Sequence, residues 1–310
     1  MRARCTALLV AVLLLAGCSV SLPRPASTPA PSPTGTPAPT TTAPAPAATG
    51  RAPAETFGVE TRQLSLNREG RPLPVTIWYP DAATGRFPVI LFSHGLKGRP
   101  ADYAPLLADW ASAGFVVAAP VYPHTSRDAE RFDALDVINQ PADASYVLTQ
   151  VLALDRRAGD VLRGRLATDH VAAAGHSAGG ITTVGLFSVA RDERLDAGIV
   201  LAGSALGVGL GFTGPPAPLL FVHGERDSVV SYASGKAAYD SVPWPKAFLT
   251  LPGGDHGQTL LDTGNRAYDV VAGATLDFWR WSLYQDADAK RRLPQDAGAS
   301  GLARLDNQLG

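Results

Sequence analysis

Residues 171–179 read VAAAGHSAG in one-letter code, and this stretch decides how the rest of the chain is interpreted. A short apolar run comes first, then Gly-x-Ser-x-Gly, then a helical stretch over 178–190. An apolar strand that turns sharply into a helix through two glycines is the context in which a serine is held exposed as a nucleophile. We therefore predict a strand–turn–helix unit with Ser177 at the turn. The alternative is a Gly/Ser helix-entry turn without chemistry.

Similar apolar runs recur along the chain and alternate with helical stretches. Strands are predicted over 87–92, 115–119, 171–174, 197–201, 219–222 and 247–251, with an edge strand over 75–78. Helices are predicted over 101–113, 141–158, 178–190, 232–240 and 267–281. Continuous apolar strands separated by helices are typical of a parallel sheet covered on both faces. The sequence predicts a single α/β domain over 55–285, with a mostly parallel doubly wound sheet, followed by a polar C-terminal tail over 286–310 with at most one short helix.

A serine nucleophile needs a general base, and that base needs an orienting carboxylate. Both residue types occur where predicted strands end, which is where sheets of this class place their sites. Asp227 follows the strand at 219–222, and His256 follows the strand at 247–251. We predict Ser177 as the nucleophile, Asp227 as the acid and His256 as the base.

Two further carboxylates lie beside these residues. Glu225 precedes Asp227 by two positions and is the alternative acid, although its place nearer the strand favours a side chain that faces solvent. Asp255 immediately precedes His256, and a sequence neighbour rarely reaches the same imidazole from the required side.

The tetrahedral intermediate of acyl transfer needs hydrogen-bond donors aimed at its oxyanion. One predicted donor is the backbone N–H of Ala178, directly after the nucleophile. The other is the backbone N–H of Leu96, in the loop 93–98 that reads SHGLKG and follows the strand at 87–92.

Four ring-bearing residues near these segments are candidates for the substrate pocket: His94, Tyr122, His124 and His176. A structural role is the alternative for His94, which would hydrogen-bond loop backbone, and for His176, which would pack inside the turn. The chain has no HExxH motif, no Cys/His cluster and no dinucleotide-binding glycine pattern, so we predict neither a metal nor a cofactor.

The residues quoted so far resemble those of the α/β-hydrolase superfamily. Within it, PVILFSHGL at 88–96 and ASAGFVVAA at 111–119 are similar to the platelet-activating-factor acetylhydrolase, chlorophyllase and cutinase-like group. The resemblance implies a serine hydrolase that cleaves carboxylic esters through an acyl-enzyme intermediate. Its alternatives are an acyltransferase or amidase with the same triad, or a non-catalytic surface lipoprotein that binds lipid or glycan.

Two departures from related families argue against two activities. Dienelactone hydrolases, which are otherwise similar, use a cysteine where this chain has Ser177, so dienelactone hydrolysis is not expected. Polyester-degrading cutinase relatives usually carry an aromatic residue at the position of Leu96 and a tryptophan where residues 202–206 read AGSAL, so polyester hydrolysis is not expected.

The connection at 202–218 is rich in Gly and Pro and too short for a helical cap, so we expect no cap domain and an open cleft.

The N-terminal segment has the layout of an exported protein. Two arginines, an apolar run over 7–16 and LAGC at 15–18 resemble a bacterial lipoprotein signal, which predicts cleavage after residue 17 and lipidation of Cys18. Residues 18–54 are mostly Pro, Ala, Thr and Ser and are predicted to be a disordered linker. The protein is thus expected on the outer face of a bacterial cell membrane.

Charge and cysteine content exclude other classes of protein. The 27 Lys and Arg residues nearly balance 28 Asp and Glu residues, for a net charge of -1, so no basic excess favours a nucleic-acid partner. The only cysteines are Cys5, in the predicted signal, and Cys18, so the predicted mature domain has neither a disulfide nor a catalytic thiol. The expected partners are an ester substrate, with lipid as a candidate, and the membrane. The oligomeric state is not indicated.

Overall fold

The computed structural model describes residues 51–209 and 211–310. The predicted signal peptide, Cys18 and the linker up to residue 50 lie outside the described residues. Ala52 is buried in the core, and the Phe57 N–H donates to the Ser112 carbonyl over 2.8 Å. The packed region therefore begins before the predicted boundary at 55.

Within the described residues, the strands form one nine-stranded sheet in the order β1-β2-β4-β3-β5-β6-β7-β8-β9. Their bounds are β1 (Gly58–Arg68), β2 (Arg71–Asp81), β3 (Phe87–Ser93), β4 (Val116–Pro120), β5 (Leu166–His176), β6 (Leu195–Leu201), β7 (Leu219–Gly224), β8 (Lys246–Leu251) and β9 (Arg304–Gln308). Strands β3 to β8 are mutually parallel, whereas β1, β2 and β9 pair antiparallel with their neighbours. The carboxyl ends of the parallel strands consequently share one edge of the sheet.

The helices are α1 (Ala104–Ser112), α2 (Gln140–Leu152), α3 (Ala178–Leu186), α4 (Tyr232–Ser241), α5 (Gln258–Leu261), α6 (Arg266–Tyr284) and α7 (Ala287–Ala299). Short 3-10 helices cover Pro100–Tyr103, Ala134–Asn139 and Ala153–Arg156. Polar side chains fix several helix starts by accepting from free backbone N–H groups. Asn265 accepts from the Ala267 N–H at the start of α6, and Asp286 accepts from two N–H groups at the start of α7.

The two faces of the sheet carry separate apolar cores. Residues of α1, α6 and α7 pack on one face, and residues of α2, α3 and α4 pack on the other. Side chains alternate between them along β3, where Ile90 and Phe92 join the first core and Val89 and Leu91 join the second. Burial on both faces is why the inner strands read as continuous apolar runs. The predicted α/β-hydrolase fold with a mostly parallel sheet is confirmed.

The prediction of an edge strand at 75–78 is wrong in its position. This segment lies within β2, which is paired on both sides, and the edge is formed by β1. Strand β1 reads GVETRQLSLNR and buries none of its residues fully. It lacks the apolar run by which the other strands were recognised.

The prediction that 286–310 is a tail outside the domain is also wrong, and the helix in this segment is 13 residues long rather than short. Helix α7 packs on α6 and buries Ala289, Leu293 and Ala297, and β9 pairs with β8 from Lys246↔Gln308 to Thr250↔Arg304. Three apolar residues at helical spacing are enough to dock a mostly polar helix. An edge strand needs only backbone hydrogen bonds to join a sheet, so its polar side chains face solvent.

The connection between β6 and β7 contains no helix or strand among its described residues, in agreement with the expected absence of a cap domain. None of the helices within 51–209 and 211–310 has the length and hydropathy needed to span a bilayer.

Candidate active site

Ser177 lies at the turn between β5 and α3 with φ 58° and ψ −118°, a conformation that L residues rarely adopt. Two glycines make the turn possible. A Cβ on Gly175 would lie 2.1 Å from the Gly179 carbonyl oxygen, and a Cβ on Gly179 would lie 1.9 Å from the Ser93 carbonyl oxygen. The Ser177 N–H donates to the Leu201 carbonyl over 2.9 Å, which anchors the turn to β6.

The structure brings Ser177, His256 and Asp227 together from three different loops. The Ser177 Oγ lies 2.8 Å from His256 Nε2, and His256 Nδ1 lies 2.7 Å from Asp227 Oδ2. A carboxylate can only accept, so Nδ1 carries the proton and Nε2 is left to accept the serine hydroxyl proton. The Asp227 side chain is fully buried, while the His256 side chain remains 19% exposed. The three side chains thus form one hydrogen-bonded chain in the order predicted for a nucleophile, a base and an orienting acid.

Backbone amides hold the Asp227 carboxylate in place. Its Oδ1 accepts from the N–H groups of Val229 and Val230, over 2.8 and 2.9 Å. Burial alone would raise the pKa of Asp227, but the hydrogen bonds from His256 and these two amides outweigh it and hold the pKa below its usual range. The carboxylate is therefore ionised at neutral pH.

A second histidine, His223, lies beside Asp227 and is buried. Its Nε2 donates to the Val230 carbonyl over 2.9 Å and lies 3.3 Å from Asp227 Oδ2. Burial lowers its pKa, which keeps the ring neutral. His223 thus fixes the loop that presents Asp227 without adding a charge.

Neither alternative carboxylate, Glu225 or Asp255, takes the position beside His256 Nδ1 that Asp227 occupies. Glu225 is exposed and pairs with Arg304 over 3.0 Å. Asp255 accepts from the Gly257 N–H over 3.3 Å, and the His256 ring is bonded to Asp227 instead.

The two predicted oxyanion donors belong to segments next to Ser177: Ala178 directly follows it, and a Cβ on Gly95, the residue before Leu96, would lie 3.1 Å from Ser177 Cβ. Within the described part of the chain, neither the Leu96 N–H nor the Ala178 N–H donates to a protein acceptor. The adjacent Lys97 N–H donates to the Thr125 carbonyl over 2.7 Å, and Lys97 has a positive φ of 56°. Ala178 also begins α3, whose N-terminal dipole favours negative charge.

Two of the predicted pocket residues cannot contact a substrate. His94 and Tyr122 have no exposed surface. His94 accepts the Tyr122 N–H at Nε2 and donates from Nδ1 to the Gly95 carbonyl, and burial lowers its pKa to about 4. The Tyr122 hydroxyl bonds to Ser93 Oγ over 2.8 Å. Their assignment to the pocket is therefore wrong, and both tie the loop after β3 to the end of β4.

The other two predicted pocket residues differ from each other. His124 is half-buried and lines a cavity of about 730 Å³ with Arg99, Asp128 and Arg131, and no triad residue lines this cavity. His176 is buried directly behind the triad, with its ring centroid 4.8 Å from that of His256. Packing inside the turn, the structural alternative for His176, agrees with this position.

A largely apolar groove lies between α3, the β6–β7 connection and the loop after β7, and no triad residue lines it. It has a volume of about 520 Å³ and is lined by Ile181 of α3, by Leu206 of the β6–β7 connection and by Val229, two residues after Asp227. Leu206 is 74% exposed and Val229 is 69% exposed. The groove thus joins the helix that follows the nucleophile to the loop that carries the acid.

Comparison with known proteins gives two results. Residues 46–206 match the model of the chlorophyllase family. The chain belongs to the chlorophyllase family. This family member is also 29% identical over 185 residues to Cutinase 1 of Thermobifida cellulosilytica, covering 58% of its own chain and 64% of that relative. It is 27% identical over 185 residues to Cutinase of Thermobifida fusca strain YX, covering 58% and 56%. It therefore spans less than two thirds of the length of these relatives.

Sequence reasoning missed several residues that hold this family member's site together. Val229 and Val230 act through backbone N–H groups, and the Asp-x-Val-Val pattern after a strand was a usable signal for such a turn. Tyr103 contacts the Gly95 N–H and His176, and Gln140 contacts Thr125 and Thr182. Both come from helical segments, where nothing in the local sequence marks them. Within the described residues, no group of three His, Cys, Asp or Glu side chains could hold a metal ion.

Proposed function

We propose that this protein is a serine hydrolase that cleaves carboxylic esters through an acyl-enzyme intermediate. The observation that carries the proposal is the continuous hydrogen-bond chain from Ser177 Oγ through His256 to the buried Asp227, over 2.8 and 2.7 Å. Membership of the chlorophyllase family and two relatives named cutinase support the same reaction class.

The acylation step follows from the protonation state of the site. His256 Nε2 takes the proton of Ser177 as Oγ attacks the ester carbonyl carbon. The imidazolium that forms is stabilised by the ionised Asp227, which does not itself take up the proton. The carbonyl oxygen becomes negative, and the Leu96 and Ala178 N–H groups supply donors without the loss of a protein hydrogen bond.

The intermediate then collapses and is hydrolysed. His256 returns the proton to the departing alkoxide, the C–O bond breaks, and an alcohol leaves the acyl-Ser177 ester. A water molecule next loses a proton to His256 Nε2 and attacks the same carbonyl. The second tetrahedral intermediate then breaks the bond between the acyl carbon and Ser177 Oγ, and His256 Nε2 returns its proton to Oγ. Release of the carboxylic acid leaves Ser177 and neutral His256 as they began.

We assign the groove of Ile181, Leu206 and Val229 to an apolar part of the ester. The assignment is supported by its walls, which come from the helix that follows Ser177 and from the loop that carries Asp227. The described part of the 202–218 connection contributes no helix over the site, which favours bulky or surface-bound substrates.

Hydrolysis of p-nitrophenyl esters from two to sixteen acyl carbons tests this proposal. The wild-type protein should release p-nitrophenol, Ser177→Ala should lower turnover about a millionfold, and Asp227→Asn about ten-thousandfold. Faster product formation with an added alcohol acceptor would instead support an acyltransferase. A folded wild-type protein that is inert on every ester and towards fluorophosphonate probes would overturn the proposal in favour of a binding protein.

We further propose that the protein is an exported lipoprotein held at the membrane through Cys18. Several acyl chains anchor stably where a single chain does not, because each buried methylene adds about 0.8 kcal/mol. A Cys18→Ser substitution should move the activity from the membrane fraction to the soluble fraction. An unchanged distribution would contradict the anchor and leave the esterase proposal intact.

A further inference from the structure

Two buried side chains outside the triad connect the loop of the predicted oxyanion donor to the backbone of His256. Tyr103, the last residue of the 3-10 helix before α1, accepts the Gly95 N–H at its hydroxyl oxygen over 3.0 Å. The same hydroxyl lies 3.1 Å from His176 Nδ1, and His176 Nε2 lies 2.7 Å from the His256 carbonyl oxygen. We call this pair of side chains the Tyr103–His176 bridge.

The chemistry of the atoms fixes the direction of each hydrogen bond. A carbonyl oxygen only accepts, so His176 Nε2 carries a proton and donates it to His256. Burial lowers the pKa of His176 to about 4 and raises that of Tyr103 to about 12. At neutral pH, His176 Nδ1 therefore accepts from the Tyr103 hydroxyl, which in turn accepts from Gly95. Every donor in the bridge has one acceptor.

Close packing holds the same groups together. A Cβ on Gly95 would lie 3.1 Å from Ser177 Cβ and 3.3 Å from the Tyr103 hydroxyl oxygen. The loop 93–98, which we call the oxyanion loop, therefore packs directly against the turn at Ser177. Tyr103 is 5% exposed and His176 is 7% exposed. The bridge is therefore shielded from water, where its hydrogen bonds are strongest.

The bridge joins two parts of the site whose relative position matters for catalysis. Leu96, which follows Gly95, carries the N–H group that must donate a hydrogen bond to the developing oxyanion. His256 must accept the Ser177 proton in the same step. The two lie on loops after β3 and β8, and a misplacement of about 1 Å between such groups can cost about 100-fold in rate.

We propose that Tyr103 and His176 are positioning residues that fix the Leu96 donor relative to His256. The inference rests on the proposed esterase function. A neutral His176 suits this task, because a positive charge with its ring centroid 4.8 Å from that of His256 would oppose formation of the His256 imidazolium during the reaction.

Tyr103→Phe in the full chain tests the inference, because it removes the hydroxyl from both hydrogen bonds and keeps the ring. With a short-chain p-nitrophenyl ester, kcat should fall by about 10- to 100-fold, while KM stays within about twofold, since the donor geometry matters in the transition state. Tyr284→Phe is the matched control. It removes another buried tyrosine hydroxyl, bonded to the Gly114 carbonyl at the far side of the fold, and should leave kcat unchanged.

A double-mutant cycle separates a working bridge from two independent contacts. His176→Phe should lower kcat by a similar factor, and combining it with Tyr103→Phe should cost little more than the worse single change. Multiplicative losses would overturn the inference, as would a Tyr103→Phe protein with wild-type kcat and KM.

A spectroscopic measurement keeps the inference testable if a variant does not fold. Nitrogen-15 spectra of histidine-labelled wild-type protein at pH 7 should show His176 as the neutral tautomer protonated at Nε2. The opposite tautomer, or a protonated ring, would overturn the inference. Wild-type protein inert on esters would overturn the proposed function and this inference together, whereas active wild type with an unaffected Tyr103→Phe would overturn only the inference.

Discussion

At the scale of single residues, the turn around Ser177 depends on missing side chains. A methyl group on Gly179 would have to occupy space 1.9 Å from the Ser93 carbonyl oxygen, so the backbone of β3 or α3 must shift. We expect Gly179→Ala to lower the free energy of unfolding by about 2 to 3 kcal/mol. Gly273→Ala is the matched control, because nothing lies within 4 Å of its Cβ position in the middle of α6. It should raise stability by about 0.5 to 1 kcal/mol. Denaturant titrations measure the free energy of unfolding of both variants. An equal change in the two would contradict the steric argument.

Buried neutral histidines make stability depend on pH. His94 titrates near pH 6.5 in the unfolded chain, and burial lowers its folded pKa to about 4. Between these values the unfolded state binds a proton that the folded state does not. His94 therefore contributes its full stability above pH 6.5 and loses about 1.4 kcal/mol per pH unit as the pH falls towards 4. His176 adds a second such contribution.

His94→Asn isolates one of the two contributions. Between pH 6 and 4.5, the slope of the free energy of unfolding against pH should be smaller in the variant by about 1.4 kcal/mol per unit. Urea melts across this range measure the slope, and carboxylates contribute equally to both proteins. Parallel lines for wild type and variant would show that the folded protein takes up the proton at His94.

At the scale of elements, α3 is tied to the oxyanion loop by a chain of buried side chains. The Thr182 hydroxyl donates to Gln140 Oε1 over 2.5 Å, and Gln140 Nε2 donates to Thr125 Oγ1 over 2.6 Å. The Thr125 carbonyl accepts the Lys97 N–H next to Leu96. The helix that begins at Ala178 and the loop of Leu96 thus share one hydrogen-bonded support.

Thr182→Val tests that support, with Thr183→Val as its control on the same helix. Both hydroxyls are fully buried, and Thr183 bonds only to the Gly179 carbonyl of its own helix. Loss of the Thr182 hydroxyl leaves the buried Gln140 amide oxygen without its donor, which costs about 1 to 3 kcal/mol beyond the control. Thermal denaturation of the two variants measures the difference. Equal melting temperatures would mean that the Gln140 contact adds no stability.

The elements also show what the sequence could predict. Strands buried on both faces were found because their apolar runs are continuous, and the segments bearing Ser177, Asp227 and His256 were found because each follows such a strand. Strands β1 and β9 were missed, and α7 was expected only as a short helix in a tail, because these elements bury few residues and owe their structure to tertiary pairing. His94 and Tyr122 were wrongly assigned to the substrate pocket for a similar reason. Whether His94 faces a cavity or a backbone carbonyl depends on packing between distant loops, which local sequence does not encode.

At the scale of the whole molecule, the C-terminal segment closes one side of the fold. Strand β9 covers the β8 edge, α7 packs on α6, and Arg292 of α7 pairs with Asp277 of α6 over 2.7 Å. Burial raises the pKa of Asp277 to about 6 despite this pairing, whereas the Arg292 side chain remains 39% exposed.

A chain that ends at Gln285 should therefore be less stable and prone to aggregate. Its truncation uncovers the apolar strand KAFLTL at 246–251, an unpaired edge of the kind that templates association. Leu293→Ala is the milder version of this change and should cost about 3 kcal/mol, because Leu293 is fully buried. Arg291→Ala, at a side chain that is 69% exposed, should stay within about 0.5 kcal/mol of wild type. Light scattering of the full and truncated chains measures association. Thermal melts of the full chain, the truncated chain and the two variants measure stability. A truncated protein that stays monomeric and melts at the wild-type temperature would contradict this prediction. It would show that the fold is stable without α7 and β9.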